Sequence, residues 1–289
     1  MSEEYSNDSV TDVTTTGWLQ RLLGSFVGAL IGMLLVIGSV VLLWWNEGRA
    51  VDAIRALDQG ARQVVEANAT AVDPANNGKL VHLSGMMTAR TPAKDAEFGI
   101  GGNDLLRLRR NVEMFQWTEQ KTTHTQKNLG GSETTETTYN YRKEWSDRPV
   151  DSSHFREAGG HRNPVMPVHS ATFDSPDVQL GPYRIDHGLL ESVSAFQAFD
   201  PTVAANSPAD YRKTGDMLYR GDDPANPAIG DIRIRYSAVP SQTMSVVAAQ
   251  AGTALAPFGA ANGYRIALAE PGVIPAAAMF REKAHEEGV

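Results

Sequence analysis

The chain has no cysteine, so it has no disulfide framework and no thiolate metal site, and the absence fits either side of a membrane. It has no excess of positive charge. Against 26 Lys and Arg stand 34 Asp and Glu, a net charge of -8, which argues against nucleic acid as a partner because phosphates need a basic face. It lacks a phosphate-cradling glycine loop, a nucleophile elbow and an HExxH pair, so no catalytic constellation is assembled, no enzyme activity is expected and no cofactor is implied. Long apolar runs are absent with one exception. A charged fraction of 21% and a hydrophobic fraction of 42% are those of a folded protein, and 289 residues suffice for one large domain or two small ones.

The exception is Leu22–Trp45, an uninterrupted run without a charged residue. At about 1.5 Å per residue, roughly 24 residues make a helix of about 36 Å, longer than a hydrocarbon core of about 30 Å. The run predicts a transmembrane helix over 18–46. Trp18 on one side and Trp44 and Trp45 on the other fall where an aromatic belt meets the headgroups, and Arg21 and Arg49 bracket the span. Gly24, Gly28 and Gly32 recur every fourth residue, a smooth strip on one face where a second helix backbone can approach closely; glycine is also common in membrane helices generally. The partners this implies are membrane lipids and other transmembrane helices, by self-association or in a partner membrane protein.

Residues 1–17 are polar and without apolar periodicity, and read as a disordered tail rather than a signal peptide, which would begin basic and carry a shorter core. Arg49, Arg55 and Arg62 after the span outnumber Arg21 before it, which on the positive-inside rule holds the C-terminal side cytoplasmic, although long domains translocate largely regardless of charge. Beyond the span, Val51, Ile54, Leu57, Ala61, Val64 and Val65 lie at helical spacing and predict a juxtamembrane helix over 47–70, with Gly60 as a candidate interruption.

The remainder, 71–289, reads as one β-rich α+β domain with a few helices. Lys79–Met87 predicts a strand. Leu106–Trp117 and Thr138–Trp145 alternate in burial type and predict a long antiparallel hairpin with a polar tip near Asn128–Ser132; Phe115 and Trp117 break the first parity, marking a bulge or a strand covered on both faces. Thr172–Ile185 is strand-like and Leu189–Phe199 has the spacing of a short helix. Met217–Tyr219 and Asp231–Ala238 form a second hairpin candidate, Thr243–Ala249 and Tyr264–Ala269 add strands, and Ala276–Glu287 closes the chain as a polar helix.

Three features invite a chemical reading. Arg107, Arg109 and Arg110 make a basic strip, read as a solvated strand face balanced by Glu113, Glu119 and Glu144. His154, His161 and His169 are spread through a Gly/Pro-rich loop without the tight spacing and carboxylate support of a metal site, so no metal is assigned to them. Gly221-Asp222-Asp223 opens like a calcium loop, but the following proline breaks that pattern and a turn is the simpler reading.

Several blocks together resemble the LUMA, or transmembrane protein 43, family: Asn46-Glu47-Gly48-Arg49-Ala50, Gly78 to His82, Leu106 to Trp117 with Arg109, Arg110, Glu113 and Trp117, Tyr139-Asn140-Tyr141 with Glu144-Trp145, His161-Arg162-Asn163-Pro164, and Gly230 to Ile234. They occur in the family's order and cover most of the chain, and the acidic tail reads as that of a prokaryotic member. The resemblance implies a protein that organises membrane-protein complexes, in animals in the endoplasmic reticulum and inner nuclear membrane. It further implies a cytoplasmic N-terminus and a large extracytoplasmic domain, periplasmic in a bacterium, between the first span and a C-terminal group of three that this chain does not contain. Asn46, Glu47, Gly48, Arg109, Arg110, Glu113, Trp117, His161, Asn163 and Pro164 are thus motif positions of unassigned role. A membrane-anchored scaffold leads, ahead of a lipid- or small-ligand-binding domain at the bilayer and of a metal-dependent hydrolase built on the histidine loop.

Overall fold

The computed structural model describes residues 8–129, 132–201 and 208–288; within the long helix the side chains of 18–26 lie outside that description. The chain divides into two compact units, one holding residues up to Leu43, Val112–His169 and Tyr219–Ile234, the other Trp44–Asn111, Ser170–Leu218 and the rest from Arg235.

The apolar run forms part of a single helix, Trp18–Gln63, of 46 residues. The expected juxtamembrane helix over 47–70 is its uninterrupted continuation and stops at Gln63, because Val65–Glu66 turns into a strand parallel to Val81–His82. No proline intervenes, and Gly60 does not break it. A Cβ at Gly60 would lie 2.8 Å from Ile266 Cδ1 and 3.0 Å from Phe280 Cε1, so glycine is the residue that lets the helix backbone press onto its neighbours. The roughly 0.5–1 kcal/mol that glycine costs a helix interior is offset by that contact.

In the second unit a ring of strand pairings closes on itself. Leu80–Thr91 lies beside Gln242–Ala251, then come Ala254–Ala256, Tyr183–Ile185 and Asp177–Leu180, which returns to Leu80–Thr91. Closure pairs the ring strands with one another, and the short strands Val65–Glu66 and Leu268–Pro271 attach outside it. The period of two sorts its side chains: Met244, Val246 and Ala248 join Val81, Leu83, Met87, Leu180 and Tyr183 in one apolar cluster, while Val247 and Leu80 face a second cluster with Leu57, Ile266, Leu268, Met279 and Phe280. Both faces of Gln242–Ala251 are therefore buried, the outer one under the end of the long helix and under Ala276–Glu287, which forms as predicted. Each such fully buried Leu or Phe contributes about 1.5–3 kcal/mol. The turn between Asp177–Leu180 and Tyr183–Ile185 depends on Gly181, whose φ is 54° and whose Cβ, if present, would overlap the Ala69 carbonyl oxygen.

Elsewhere in this unit the helix expected over Leu189–Phe199 shrinks to His187–Leu190, capped by the Asp186 carboxylate accepting from the Gly188 N–H. Gln197–Phe199 instead pairs antiparallel with Tyr236–Ala238. A short isolated helix has too few hydrogen bonds to repay its nucleation, and the strand partner wins.

In the first unit the predicted hairpin is present and longer than expected, Leu105–Lys127 against Glu133–Ser146, with the first strand beginning in the other unit. Its register runs without a shift from Met114↔Ser146 to Lys127↔Glu133. Phe115 and Trp117 thus mark no bulge. Val112, Met114 and Gln116 are buried on one face, and on the other Phe115 meets Trp145 at 5.3 Å and Trp117 meets His161 at 4.6 Å between ring centroids. The Asn128 N–H donates to the Ser132 carbonyl at 2.9 Å across the tip; Gly130 and Gly131 lie outside the described residues.

Of the tail expected to be disordered, residues 1–7 lie outside the described residues, and the rest is ordered. Ser9–Thr16 forms a strand antiparallel to Glu133–Asn140. Its β-branched residues, Val10, Thr11, Val13 and Thr14 to Thr16, favour an extended chain, and the hairpin's outer strand offers an edge of unpaired backbone groups.

Candidate functional site

From Val27 to Trp45 the long helix is apolar and uncovered; Leu34 and Leu43 are 68% and 67% exposed. Apolar surface of this extent marks contact with a membrane or with other protein. Among the described residues nothing lies within 4 Å of where a Cβ at Gly28 or Gly32 would sit, so the glycine face is open there. Gly24 lies on the same helix, but its surroundings, like the side chains of Trp18 and Arg21, are outside the described residues. Trp44 and Trp45 are exposed at the far border, and the Arg49 guanidinium sits 5.7 Å from the Trp45 ring centroid, a cation–π contact suited to an interface. Asn46, Glu47 and Gly48 follow on the helix, all exposed.

The arginine strip of the second unit is drawn inward at Arg107 and Arg110. Arg110 donates to the buried Asp95 carboxylate at 2.8 Å and to Glu97 at 2.7 Å. The Tyr236 hydroxyl donates to the same Asp95 oxygen at 2.9 Å. Burial, then the Asp95 charge, pushes the Tyr236 phenol far above its ordinary range. Arg107 forks onto Asp174 at 2.7 and 3.3 Å and also donates to the Glu191 and Val193 carbonyls. Arg109 lies 3.8 Å from the Phe196 ring centroid. The basic strip is therefore not a solvated face balanced by Glu119 and Glu144. Arg107 and Arg110 are buried, and their counter-charges come from Asp174, Asp95 and Glu97, residues distant in sequence that the pattern of alternation could not name.

In the first unit Glu113 receives both arms of Arg233 at 2.6 and 3.0 Å, and the same guanidinium lies 4.4 Å from the Trp145 ring centroid. His161 stacks on Tyr141 at 3.7 Å between centroids. Its Nδ1 is 2.8 Å from the Glu157 carbonyl and its Nε2 2.8 Å from the Asp8 carboxylate. The Tyr141 hydroxyl donates to Glu119 at 2.8 Å and accepts from the Glu157 N–H at 2.9 Å, and burial, then Glu119, pushes this phenol up to about 12. Asn163 clamps Trp117 through the backbone: its side-chain oxygen accepts from the Trp117 N–H at 2.7 Å and its amide donates to the Trp117 carbonyl at 2.9 Å. Pro164 packs against Gly230, whose φ is 95° and whose Cβ would lie 2.9 Å from Pro164 Cγ.

The same loop frames an open cleft of about 740 Å³ lined by Val150, Ser152, Asn163, Val165, Met166 and His169, among others. His154 is exposed and 3.4 Å from Asp151. Among the described residues no three His, Asp or Glu side chains gather as a metal set. Asp223 accepts from the Ala225 N–H at 2.9 Å and so closes a turn, as its neighbouring proline suggests. Asp8, Asp12, Asp95, Arg156 and Tyr236 carry no signal in the sequence; each acts through a partner brought to it by the fold, and no spacing marks it.

These features define a class: a membrane protein with one candidate apolar helix near its N-terminus and a β-rich remainder whose motif residues are bound up in ion pairs, ring contacts, hydrogen bonds and packing. Residues 114–289 match the family model for Transmembrane protein 43. The chain is 31% identical over 304 residues to Transmembrane protein 43 of Mus musculus, covering 98% of this chain and 75% of the mouse protein. It is 30% identical over 304 residues to the Homo sapiens protein, with the same coverage, and 30% over 267 residues to the Transmembrane protein 43 homolog of Drosophila melanogaster, covering 90% and 70%. No solved structure matches. The chain belongs to the transmembrane protein 43 family.

Proposed function

We propose that the protein is a non-enzymatic, membrane-anchored organiser of membrane-protein complexes, held by its apolar helix with the N-terminus cytoplasmic and the β-rich part on the other side. The observation that carries this reading is the division of labour along the chain. Within each unit the polar motif residues from Arg109 to Asn163 are spent on ion pairs, ring contacts and hydrogen bonds, whereas the apolar helix has an uncovered glycine face, at Gly28 and Gly32, fit for close approach by another helix.

The test is crosslinking in native membranes of the intact chain against Gly28→Leu and Gly32→Leu. Loss of self-crosslinked or partner-crosslinked species in both variants, with insertion unchanged, is the expected result. Unaltered crosslinking in both refutes the organising role of this face.

A further inference from the structure

Among the described residues one helix is long and apolar enough to cross a membrane. The strand Ser9–Thr16 precedes its apolar part, and the hairpin strand Glu133–Ser146 follows it. A single crossing therefore sets these two strands on opposite sides of the bilayer. The hairpin cannot thread back through, because strands with an open edge and threonine-rich faces leave backbone groups unsatisfied in hydrocarbon. The pairing of Ser9–Thr16 with Glu133–Asn140 and the spanning of the helix are thus mutually exclusive.

The contacts of that pairing nevertheless describe a reading surface. Beyond the ladder itself, the Tyr141 N–H donates to the Asp8 carbonyl at 3.1 Å and the Thr11 and Thr138 hydroxyls meet at 3.2 Å. Asp8 and Asp12 are four residues apart, which puts both carboxylates on one face of an extended segment. Each meets its own reader: Arg156 forks onto Asp12 at 2.6 and 3.0 Å, and His161, with 4% of its side chain exposed and its ring stacked on Tyr141, holds Asp8. The backbone ladder supplies affinity and the two side chains supply a sequence preference, as in strand addition to a sheet edge.

We propose that, in the membrane-inserted protein, the outer edge of Glu133–Tyr141 is a docking site for an extended segment of another protein that carries two carboxylates four residues apart. Asp8–Thr16 is the pattern for that segment, and in the inserted chain it lies across the bilayer from the edge. This inference rests on the spanning of the helix and not on the organising role.

Two measurements test it. In sealed membranes a membrane-impermeant maleimide is applied to Ser9→Cys and to Arg148→Cys, which are clean reporters because the chain has no cysteine of its own. Labelling from opposite faces is expected; labelling from the same face means the chain does not cross and overturns the proposal at its premise. The full chain in lipid nanodiscs is then titrated with a fluorescent peptide of residues 8–16, DSVTDVTTT. Saturable binding is expected, weakened about tenfold or more by Asp8→Asn with Asp12→Asn in the peptide, in keeping with the strength of charge-assisted, forked hydrogen bonds. Arg156→Ala in the protein is expected to do the same. The altered peptide leaves the protein untouched, so its loss of binding cannot come from misfolding. No saturable binding, or binding indifferent to the carboxylates, overturns the docking site itself.

Discussion

Replacing Arg110 by alanine strands a charge. Asp95 has no exposed surface, and its carboxylate is held by Arg110 at 2.8 Å and by the Tyr236 hydroxyl at 2.9 Å. Removing one partner of a buried ion pair costs about 3–5 kcal/mol, chiefly because the other charge stays behind without compensation. The second contact of Arg110, to the half-exposed Glu97, adds at most about 1 kcal/mol. Tyr236→Phe takes away one hydrogen bond to a charged acceptor and leaves the pair intact, a loss of about 1.5–3 kcal/mol. Adding Asp95→Asn to Arg110→Ala removes the stranded charge while keeping an oxygen for Tyr236, so the double variant should regain part of the loss.

The assay is urea unfolding in detergent followed by circular dichroism, since Trp117 and Trp145 belong to the other unit and do not report on this core. A cost under about 1 kcal/mol for Arg110→Ala, or a further loss of stability on adding Asp95→Asn in that background, would refute a buried, stranded charge at Asp95.

Gly181 and Gly252 both have positive φ, 54° and 63°, yet only Gly181 has a backbone oxygen where its Cβ would go. Gly252→Ala should cost about 1–2 kcal/mol, the ordinary left-handed penalty, and Gly181→Ala well over that, with folding lost or destabilised by more than about 3 kcal/mol; equal costs in urea unfolding would refute the close approach to Ala69. The Tyr141 phenol, raised to about 12, contributes stability that is whole below the unfolded phenol's pKa of about 10 and is lost as pH rises through its folded value. Tyrosinate absorbance should therefore lag the ordinary phenol range and lose one late-titrating group in Tyr141→Phe; an unchanged late phase in that variant would count against the assignment.

Alternation along Leu106–Trp117 and Thr138–Trp145 made the hairpin legible, because its strands are near in sequence and each carries its own period of two. The closing helix was legible for the same local reason. What escaped were the features that depend on distant partners. The ring closes through Leu80–Thr91 and Gln242–Ala251, and nothing in either segment names the other. The Arg107 and Arg110 strip looked solvated because its carboxylates, Asp174 and Asp95, come from other strands and turns. Gly60 looked like a helix breaker since sequence shows the missing side chain but not the Ile266 and Phe280 that take its place. The family blocks named Trp117, His161 and Asn163 as a set without saying why; a ring contact and a backbone clamp supply the reason.

The closed ring also sets a timetable. Leu80–Thr91 leaves the ribosome early, but its partner Gln242–Ala251 is made only after the whole hairpin has been synthesised. Until then Val81, Leu83 and Met87, which end among the most deeply buried side chains, have no strand to lie against on that edge. The apolar helix, complete long before, can already be in the bilayer by that time. The nascent protein is thus tethered at the membrane while its core is still open, and holding that half-built sheet out of aggregation falls to whatever binds exposed strands there.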